Sequence, residues 1–204
     1  MASGTGSNFA AIADACSHDG FPARVVCVVA DKPDEPVLDL ARTRGVDAQV
    51  VEPPTKKAGL PVEIEEKICA LLRERRVDLV ALAGFMRILK GPLLTEFEGR
   101  IMNIHPSLLP SFKGLDAVGQ ALEYGARVVG CTVHFVDRTI DGGAIILQAP
   151  VPVEHNDTED NVLKKVHGEE HRIYVEAIKL FAEGRLQPDG RRVKILDEVS
   201  SNNQ

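Results

Sequence analysis

The stretch VEIEEKICALLRERRVDLVALAGF, residues 62–85, decides the fold class, because a helical pattern is followed directly by a strand pattern. Its first part places four apolar side chains on one face at helical spacing, namely Ile64, Ile68, Leu71 and Leu72. That part ends in basic residues, which a helix C-terminus favours. The second part, VDLVALAGF, is almost continuously apolar, which is typical of a strand buried on both faces. The pair therefore predicts a parallel sheet covered by helices.

The same alternation continues on both sides of this stretch. Strand-like runs rich in β-branched residues occupy 23–31, 46–52, 77–85 and 100–105. Helix-like segments lie near 8–18, 36–44, 62–76 and 116–124. We therefore expect an α/β fold with a doubly wound, mostly parallel, Rossmann-like sheet.

The pattern changes after about residue 127. Two strand-like runs, 127–137 and 144–154, are separated by an Asp-Gly-Gly turn, so we expect them to pair antiparallel. A long helix should begin with Asp157 or Thr158 as its N-cap and run to Gly184. The chain then predicts a hairpin about Pro188-Asp189-Gly190, followed by a frayed tail.

The beginning of the chain shows a glycine-rich turn, SGTGSN at 3–8, that enters a helix. Small residues at a helix N-terminus let backbone N–H groups approach a phosphate, but from the residues alone a plain helix-capping turn is the favoured interpretation. The loop lacks the lysine of a P-loop, and Phe9 breaks the dinucleotide-binding pattern. In a doubly wound sheet a strand precedes such a turn, but only Met1 and Ala2 do so here. We expect a truncated first strand, with marginal stability or weak phosphate binding.

Composition excludes several classes of function. The net charge of −6, from 24 Lys and Arg against 30 Asp and Glu, offers no basic surface for nucleic acid. No apolar run is long enough to span a membrane, and no signal peptide is evident. The four cysteines form no CxxC pair, so we expect reduced thiols in a cytoplasmic protein.

Three stretches carry candidate chemistry. In NIHPSLLP, Asn103 and His105 lie two residues apart on a strand, so their side chains project from one face at its carboxyl end. In DRTIDGG, Asp141 either caps its own turn or orients His105 and favours its imidazolium form. In VHGEEHRIY, His167 and Glu170 share one helix face, which is either functional or simply solvated. Gly168 excludes the HExxH zinc pattern, and no metal site is expected.

Taken together, these stretches resemble the phosphoribosylglycinamide formyltransferase family. The resemblance rests on SGTGSN (3–8), LAGFMRIL (82–89), MNIHPSLLPSFKG (102–114) and GCTVHFVDRTIDGGAIILQAPVPV (130–153), in this order and spacing. It extends from Ser3 to about Leu186. It implies a formyltransferase domain over 1–186, with a ribonucleotide-phosphate half at 1–100 and a catalytic and folate half at 101–186. Residues 187–204 would form the hairpin and tail.

The resemblance also implies roles for single residues. Asn103, His105 and Asp141 match the catalytic triad of the family. The residues that match its glycinamide ribonucleotide site are Gly6, Ser7, Asn8, His167 and Glu170. Those that match its folate pocket, where backbone groups do much of the recognition, are Met86, Arg87, Ile88, Leu89, Asn103, Asp137, Arg138, Thr139, Ile140 and Asp141. One departure is that no arginine lies near the start of the 62–76 helix, where many members contact the folate tail.

The implied reaction transfers the formyl group of 10-formyltetrahydrofolate to the amine of glycinamide ribonucleotide, in purine biosynthesis. Its partners would be small molecules only, without nucleic acid or membrane, and the protein would be a cytoplasmic monomer or homodimer. Two alternatives stay open, a formyltetrahydrofolate hydrolase and a non-catalytic folate-binding protein. A methionyl-tRNA formyltransferase would need a further C-terminal domain and a basic surface.

Overall fold

A computed structural model of the protein describes residues 1–55 and 57–197. Its helices are α1 (Ser7–Cys16), α2 (Pro36–Thr43), α3 (Val62–Glu74), α4 (Pro92–Glu96), α5 (Ala117–Glu123) and α6 (Glu159–Ala182). Its strands are β1 (Cys27–Ala30), β2 (Asp47–Val50), β3 (Val80–Leu82), β4 (Ile101–His105), β5 (Val128–Phe135), β6 (Ile145–Pro152), β7 (Leu186–Asp189) and β8 (Arg192–Ile195). The predicted tail lies mostly outside the described residues.

The strands form two sheets whose pairing changes direction along the chain. β1 and β2 pair parallel as one sheet, and the other has the order β3-β4-β5-β6-β8-β7. β3 and β4 are parallel, whereas β5 runs antiparallel to both β4 and β6. The α/β class and the antiparallel C-terminal portion are thus confirmed. So is the final hairpin, in which β7 and β8 pair from Leu186–Ile195 to Asp189–Arg192.

A cleft of about 740 Å³ separates β1 from β3, at the place where the sequence leads one to expect a first strand. Met1 and Ala2 occupy its end. Ala2 donates its N–H to the carbonyl oxygen of Val29 and forms a parallel bridge with Ala83. The cleft walls are largely apolar and include Phe9, Ile12, Val28, Leu79, Ile178 and Phe181. The run 23–31 forms a strand only from Cys27, because β2, its described partner, pairs with Cys27–Ala30 alone.

Helix α6 packs against the central strands and is hydrogen-bonded to β3 and β4 through one side chain. Its Tyr174 is fully buried, and the hydroxyl lies 2.9 Å from the carbonyl oxygen of Leu82 and 3.1 Å from that of Met102. The helix begins as predicted, because Thr158 Oγ1 accepts the N–H of Asn161 as an N-cap. Within the described residues, no helix has the length and apolar character needed to cross a bilayer.

The sequence pattern missed the short helix α4, because its five residues offer no complete helical period. The four cysteines are free, and burial raises the pKa of Cys69 and of Cys131 to about 12. The thiols of these two residues are therefore protonated at neutral pH. The division of the chain into two halves stays a prediction.

Candidate active site

Strand β4 brings Asn103 and His105 to one edge of the main sheet. The antiparallel register places Asn103 opposite His134 and His105 opposite Thr132 on β5. The side chains of residues two apart project from the same face, as predicted. The strand ends at His105, immediately before Pro106. Pro106 has no N–H with which to continue the ladder.

Both ring nitrogens of His105 face acceptors. Nε2 donates to the carbonyl oxygen of Phe112 at 2.9 Å, and Nδ1 lies 3.7 Å from Asp141 Oδ2. The imidazole is buried. A carbonyl and a carboxylate on opposite sides of the ring suit a doubly protonated imidazolium, because neither can donate to a ring lone pair.

Asp141 reaches the two histidines from a strained turn. Its backbone is left-handed, with φ of 46°, and its Oδ2 accepts the N–H of Gly114 at 2.8 Å. The other oxygen, Oδ1, lies 3.9 Å from His134 Nε2. The turn closes tightly, since a Cβ on Gly143 would lie 1.8 Å from the carbonyl oxygen of Phe135. The Asp-Gly-Gly sequence therefore serves both to turn the chain and to aim the carboxylate.

His134 is a site residue that the sequence analysis did not single out. Its Nδ1 donates to its neighbour's carbonyl, Phe135 O, at 2.8 Å, which leaves Nε2 as an acceptor. Asn103 Nδ2 lies 3.3 Å from that Nε2 and donates to it. Burial is the main cause that lowers the pKa of His134, so the ring stays neutral at pH 7. This role depends on the register of β5 with β4, which places His134 opposite Asn103. That register is known only from the paired strands of the structure.

A second group missed from sequence fixes the loop after β4. Thr132 Oγ1 donates to the carbonyl oxygen of Ser107 at 2.6 Å and accepts the N–H of Leu109 at 3.1 Å. Gln148 on β6 donates to Thr132 Oγ1 and to the carbonyl oxygen of Leu109. Ser107, Leu109 and Thr132 are buried, whereas Gln148 is exposed. The loop that carries Phe112 and Gly114 to the site is therefore attached to the sheet by side chains of β5 and β6.

The glycine-rich loop is joined to α6 through Asn8. Its Nδ2 donates to Glu170 Oε2 at 2.9 Å, whereas its buried Oδ1 has no partner among the described residues. Glu170 is buried, and this burial is the main cause that raises the pKa of its carboxyl group. His167 on the same helix is exposed. The structure thus brings Asn8 and Glu170 together, and their assignment to a ribonucleotide site stays a prediction.

The loop itself is packed against the start of α2. Gly6 has φ of 76°, and a Cβ there would lie 2.6 Å from a methyl carbon of Val37. Gly4 donates its N–H to the carboxylate of Glu35 and accepts the N–H of Val37. Only glycine suits position 6, for reasons of both conformation and space.

The residues predicted for the folate pocket lie in two segments. In the first, Met86 is exposed, Leu89 is buried, and Ile88 donates its N–H to the carbonyl oxygen of Ala58. The Arg87 guanidinium pairs with Asp31. In the second, Asp137 Oδ1 accepts from the N–H and hydroxyl of Thr139.

The remaining predicted side chains of the second segment, Arg138 and Ile140, are exposed. The assignment of both segments to folate stays a prediction.

Known proteins resemble this chain over nearly all of its length. A model of the formyl transferase family matches residues 1–178. A phosphoribosylglycinamide formyltransferase of Bacillus subtilis strain 168 is 40% identical over 179 residues, which cover 88% of this chain and 91% of the relative. The human trifunctional purine biosynthetic protein adenosine-3 is 43% identical over 187 residues. That match covers 92% of this chain but 18% of the human protein.

The fold agrees with solved structures. The crystal structure of glycinamide ribonucleotide transformylase 1 from Symbiobacterium toebii superposes with a TM-score of 0.89 at 50% identity. The superposition covers 96% of this chain and 91% of that one. With the family model matching well over half of its residues, the chain belongs to the formyl transferase family.

Proposed function

We propose that the protein transfers the formyl group of 10-formyltetrahydrofolate to the amine of glycinamide ribonucleotide, giving formylglycinamide ribonucleotide for purine biosynthesis. The observation that carries this proposal is the convergence of Asn103, His105 and Asp141 at the end of β4, with His105 Nδ1 3.7 Å from Asp141 Oδ2. The human and bacterial relatives named above support the choice of substrates.

The reaction forms one C–N bond and breaks another. The substrate amine attacks the formyl carbon, and the resulting tetrahedral intermediate carries an oxyanion. The Asn103 amide and the imidazolium of His105 are the donors for that oxyanion, and one such donor is worth ~3 kcal/mol of barrier. Collapse breaks the bond to the folate nitrogen N10. The proton lost by the amine passes to N10, with His105 as the carrier.

His134 and Asp141 prepare these two donors. Because neutral His134 accepts from Asn103 Nδ2, the Asn103 amide is held in one orientation with its second N–H free. Asp141 lies beside Nδ1 of His105 and orients the ring, and Nε2 would act on the substrate by giving up its hydrogen bond to the carbonyl oxygen of Phe112. Neither role needs a covalent enzyme intermediate.

The ribonucleotide would bind across the glycine-rich loop and α6. The amides of Gly6, Ser7 and Asn8 open helix α1, where backbone N–H groups and the helix dipole favour a phosphate. Asn8 Oδ1 and Glu170 are acceptors that suit ribose hydroxyls. His167 lies on the same face of α6 and would add a further polar contact.

The folate would lie along 86–89 and 137–141, the segments that follow β3 and β5, which are the two neighbours of β4 in the sheet. In this scheme 10-formyltetrahydrofolate is a co-substrate, and the partners are small molecules. The cytoplasm is the compartment we propose, with the protein acting as a monomer or homodimer.

A hydrolase that uses water as the acceptor is the second candidate, because it would use the same Asn, His and Asp. The Asn8–Glu170 contact favours the transferase, since water as acceptor has no use for a ribonucleotide site. A non-catalytic folate-binding protein would not require the buried His105–Asp141 arrangement.

One assay separates the three. Purified protein is incubated with 10-formyltetrahydrofolate, with and without glycinamide ribonucleotide, and release of tetrahydrofolate is followed. Release that depends on the ribonucleotide supports the transferase. Release in both tubes points to the hydrolase, and saturable folate binding without release points to the binding protein.

A further inference from the structure

The carboxylate of Asp31 lies just after β1 and joins two of the loops that the proposed function uses. Its Oδ1 accepts the hydroxyl of Ser3 at 3.1 Å, and its Oδ2 accepts Nε of Arg87 at 2.6 Å. Ser3 opens the glycine-rich loop, and Arg87 lies in the 86–89 segment. Each of the two carboxylate oxygens of Asp31 therefore holds one of the two loops.

The guanidinium of Arg87 extends this link to a third segment. Its Nη1 donates to the carbonyl oxygen of Lys57 at 2.6 Å. Only 4% of the Asp31 side chain and 10% of the Arg87 side chain are exposed. Two charges so far removed from water are strongly coupled, and either one left alone is costly.

We propose that the buried Asp31–Arg87 pair is a positioning device that couples the ribonucleotide loop to the folate segment, so that binding of one substrate strengthens binding of the other. This inference rests on the proposed function. Neither side chain contacts the reacting atoms in this scheme. The pair acts through the backbone that each side chain holds.

The physical basis is that a shared carboxylate cannot move with one loop without disturbing the other. A ligand that orders 3–8 fixes Ser3 and hence Asp31, which restrains Arg87 and the 86–89 backbone. The second ligand then binds a segment that is already ordered, so its binding costs less conformational entropy. The result is positive coupling between the two sites. Glu35 and Val37, which follow Asp31 in the sequence, strengthen the link between Asp31 and the glycine-rich loop. Both are hydrogen-bonded to the backbone of Gly4.

Three variants separate positioning from stability. Asp31→Asn keeps an acceptor for Ser3 but removes the negative charge. Arg87→Gln removes the guanidinium that donates to both Asp31 and the carbonyl oxygen of Lys57. Each single variant leaves a buried charge unpaired and should unfold more easily. The double variant, D31N with R87Q, leaves none, so its stability should recover. The matched control is R73Q with E96Q, which removes an exposed bidentate pair on α3 and α4.

The measurement is calorimetric binding of tetrahydrofolate with and without glycinamide ribonucleotide, a pair that cannot react because no formyl group is present. In the unmodified protein we expect the ribonucleotide to tighten tetrahydrofolate binding by about fivefold or more. In the double variant this ratio should fall below about twofold, and KM for both substrates should rise about fivefold with kcat nearly kept. The control should retain the original ratio.

A double variant that recovers both stability and the original coupling ratio would overturn the inference, because the pair would then be structural only. So would an unmodified protein that transfers formyl groups but shows no coupling. Absence of any ribonucleotide-dependent transfer by the unmodified protein is a different result, since it would reject the proposed function itself.

Discussion

Nδ1 of His105 lies 3.7 Å from Oδ2 of Asp141, and the N–H of Gly114 donates to that same oxygen. The carboxylate thus lies beside the ring of His105 and is also bonded to the loop that follows this residue. This arrangement links the chemistry of the ring to the position of the loop.

The first prediction concerns this pair. His105→Ala or Asp141→Asn should lower kcat of formyl transfer about a hundredfold or more, because proton transfer and the oxyanion donor are both impaired. Steady-state kinetics provide the measurement, and circular dichroism checks the fold. Asp19→Asn, in an exposed turn, is the control. A folded His105→Ala protein with full turnover would remove the basis of the assignment.

His134 should matter through Asn103. His134→Leu removes the acceptor for Asn103 Nδ2, so the amide loses its fixed orientation, and we expect kcat to fall about tenfold with KM almost unchanged. His134→Gln can still offer an oxygen at this position and should recover part of the loss. Equal activity of the Leu and Gln variants would contradict this positioning role.

Glu170 should lower stability as the pH rises. Its pKa is raised in the folded protein, so the folded state binds more protons than the unfolded state above the unfolded pKa of 4.5. Stability is therefore lost as pH rises through the folded pKa. Glu170→Gln keeps an acceptor for Asn8 without the buried charge.

We expect the melting temperature of Glu170→Gln to exceed that of the unmodified protein at pH 8, and the two to converge near pH 4.5. Ribonucleotide affinity should fall in the same variant, because a charged acceptor is lost. Thermal unfolding at the two pH values is the measurement. A difference that grows towards acid pH would show that the sign is wrong.

The turn of Asp141 should not tolerate a side chain at Gly143. A Cβ there would lie 1.8 Å from the carbonyl oxygen of Phe135, so Gly143→Ala should cost about 1–3 kcal/mol and displace Asp141. Gly168 in α6 is the matched control, since nothing lies within 4 Å of its Cβ position. Gly168→Ala should stabilise by about 0.5–1 kcal/mol. Urea unfolding distinguishes the two.

The cleft between β1 and β3 should accept an added strand. An N-terminal extension of five aliphatic residues would pair with both strands and fill the apolar walls, with a gain of about 2 kcal/mol or more. Burial lowers the pKa of the α-amine of Met1 to about 6. The extension would also convert this buried amine into an amide. A polar Gly-Ser extension is the control. Equal melting temperatures for the two extensions would disprove the expectation.

Much of the fold was accessible from local patterns in the sequence. Helix α3 and strand β3 follow from their apolar periodicity, and Thr158 follows from capping chemistry, because both signals lie within a few neighbouring residues. Asn103 and His105 on one strand face are equally local. The two-residue side-chain alternation needs no knowledge of the rest of the chain.

The contacts between residues far apart in the sequence became visible only in the folded chain. The sequence by itself left Asp141 either capping its own turn or facing His105, and only the β4–β5 register and the folded turn brought it to 3.7 Å. His134 and the Asp31–Arg87 pair lay outside local inference for the same reason. Strand register and burial are set by the packing of the whole chain, so no short stretch contains them.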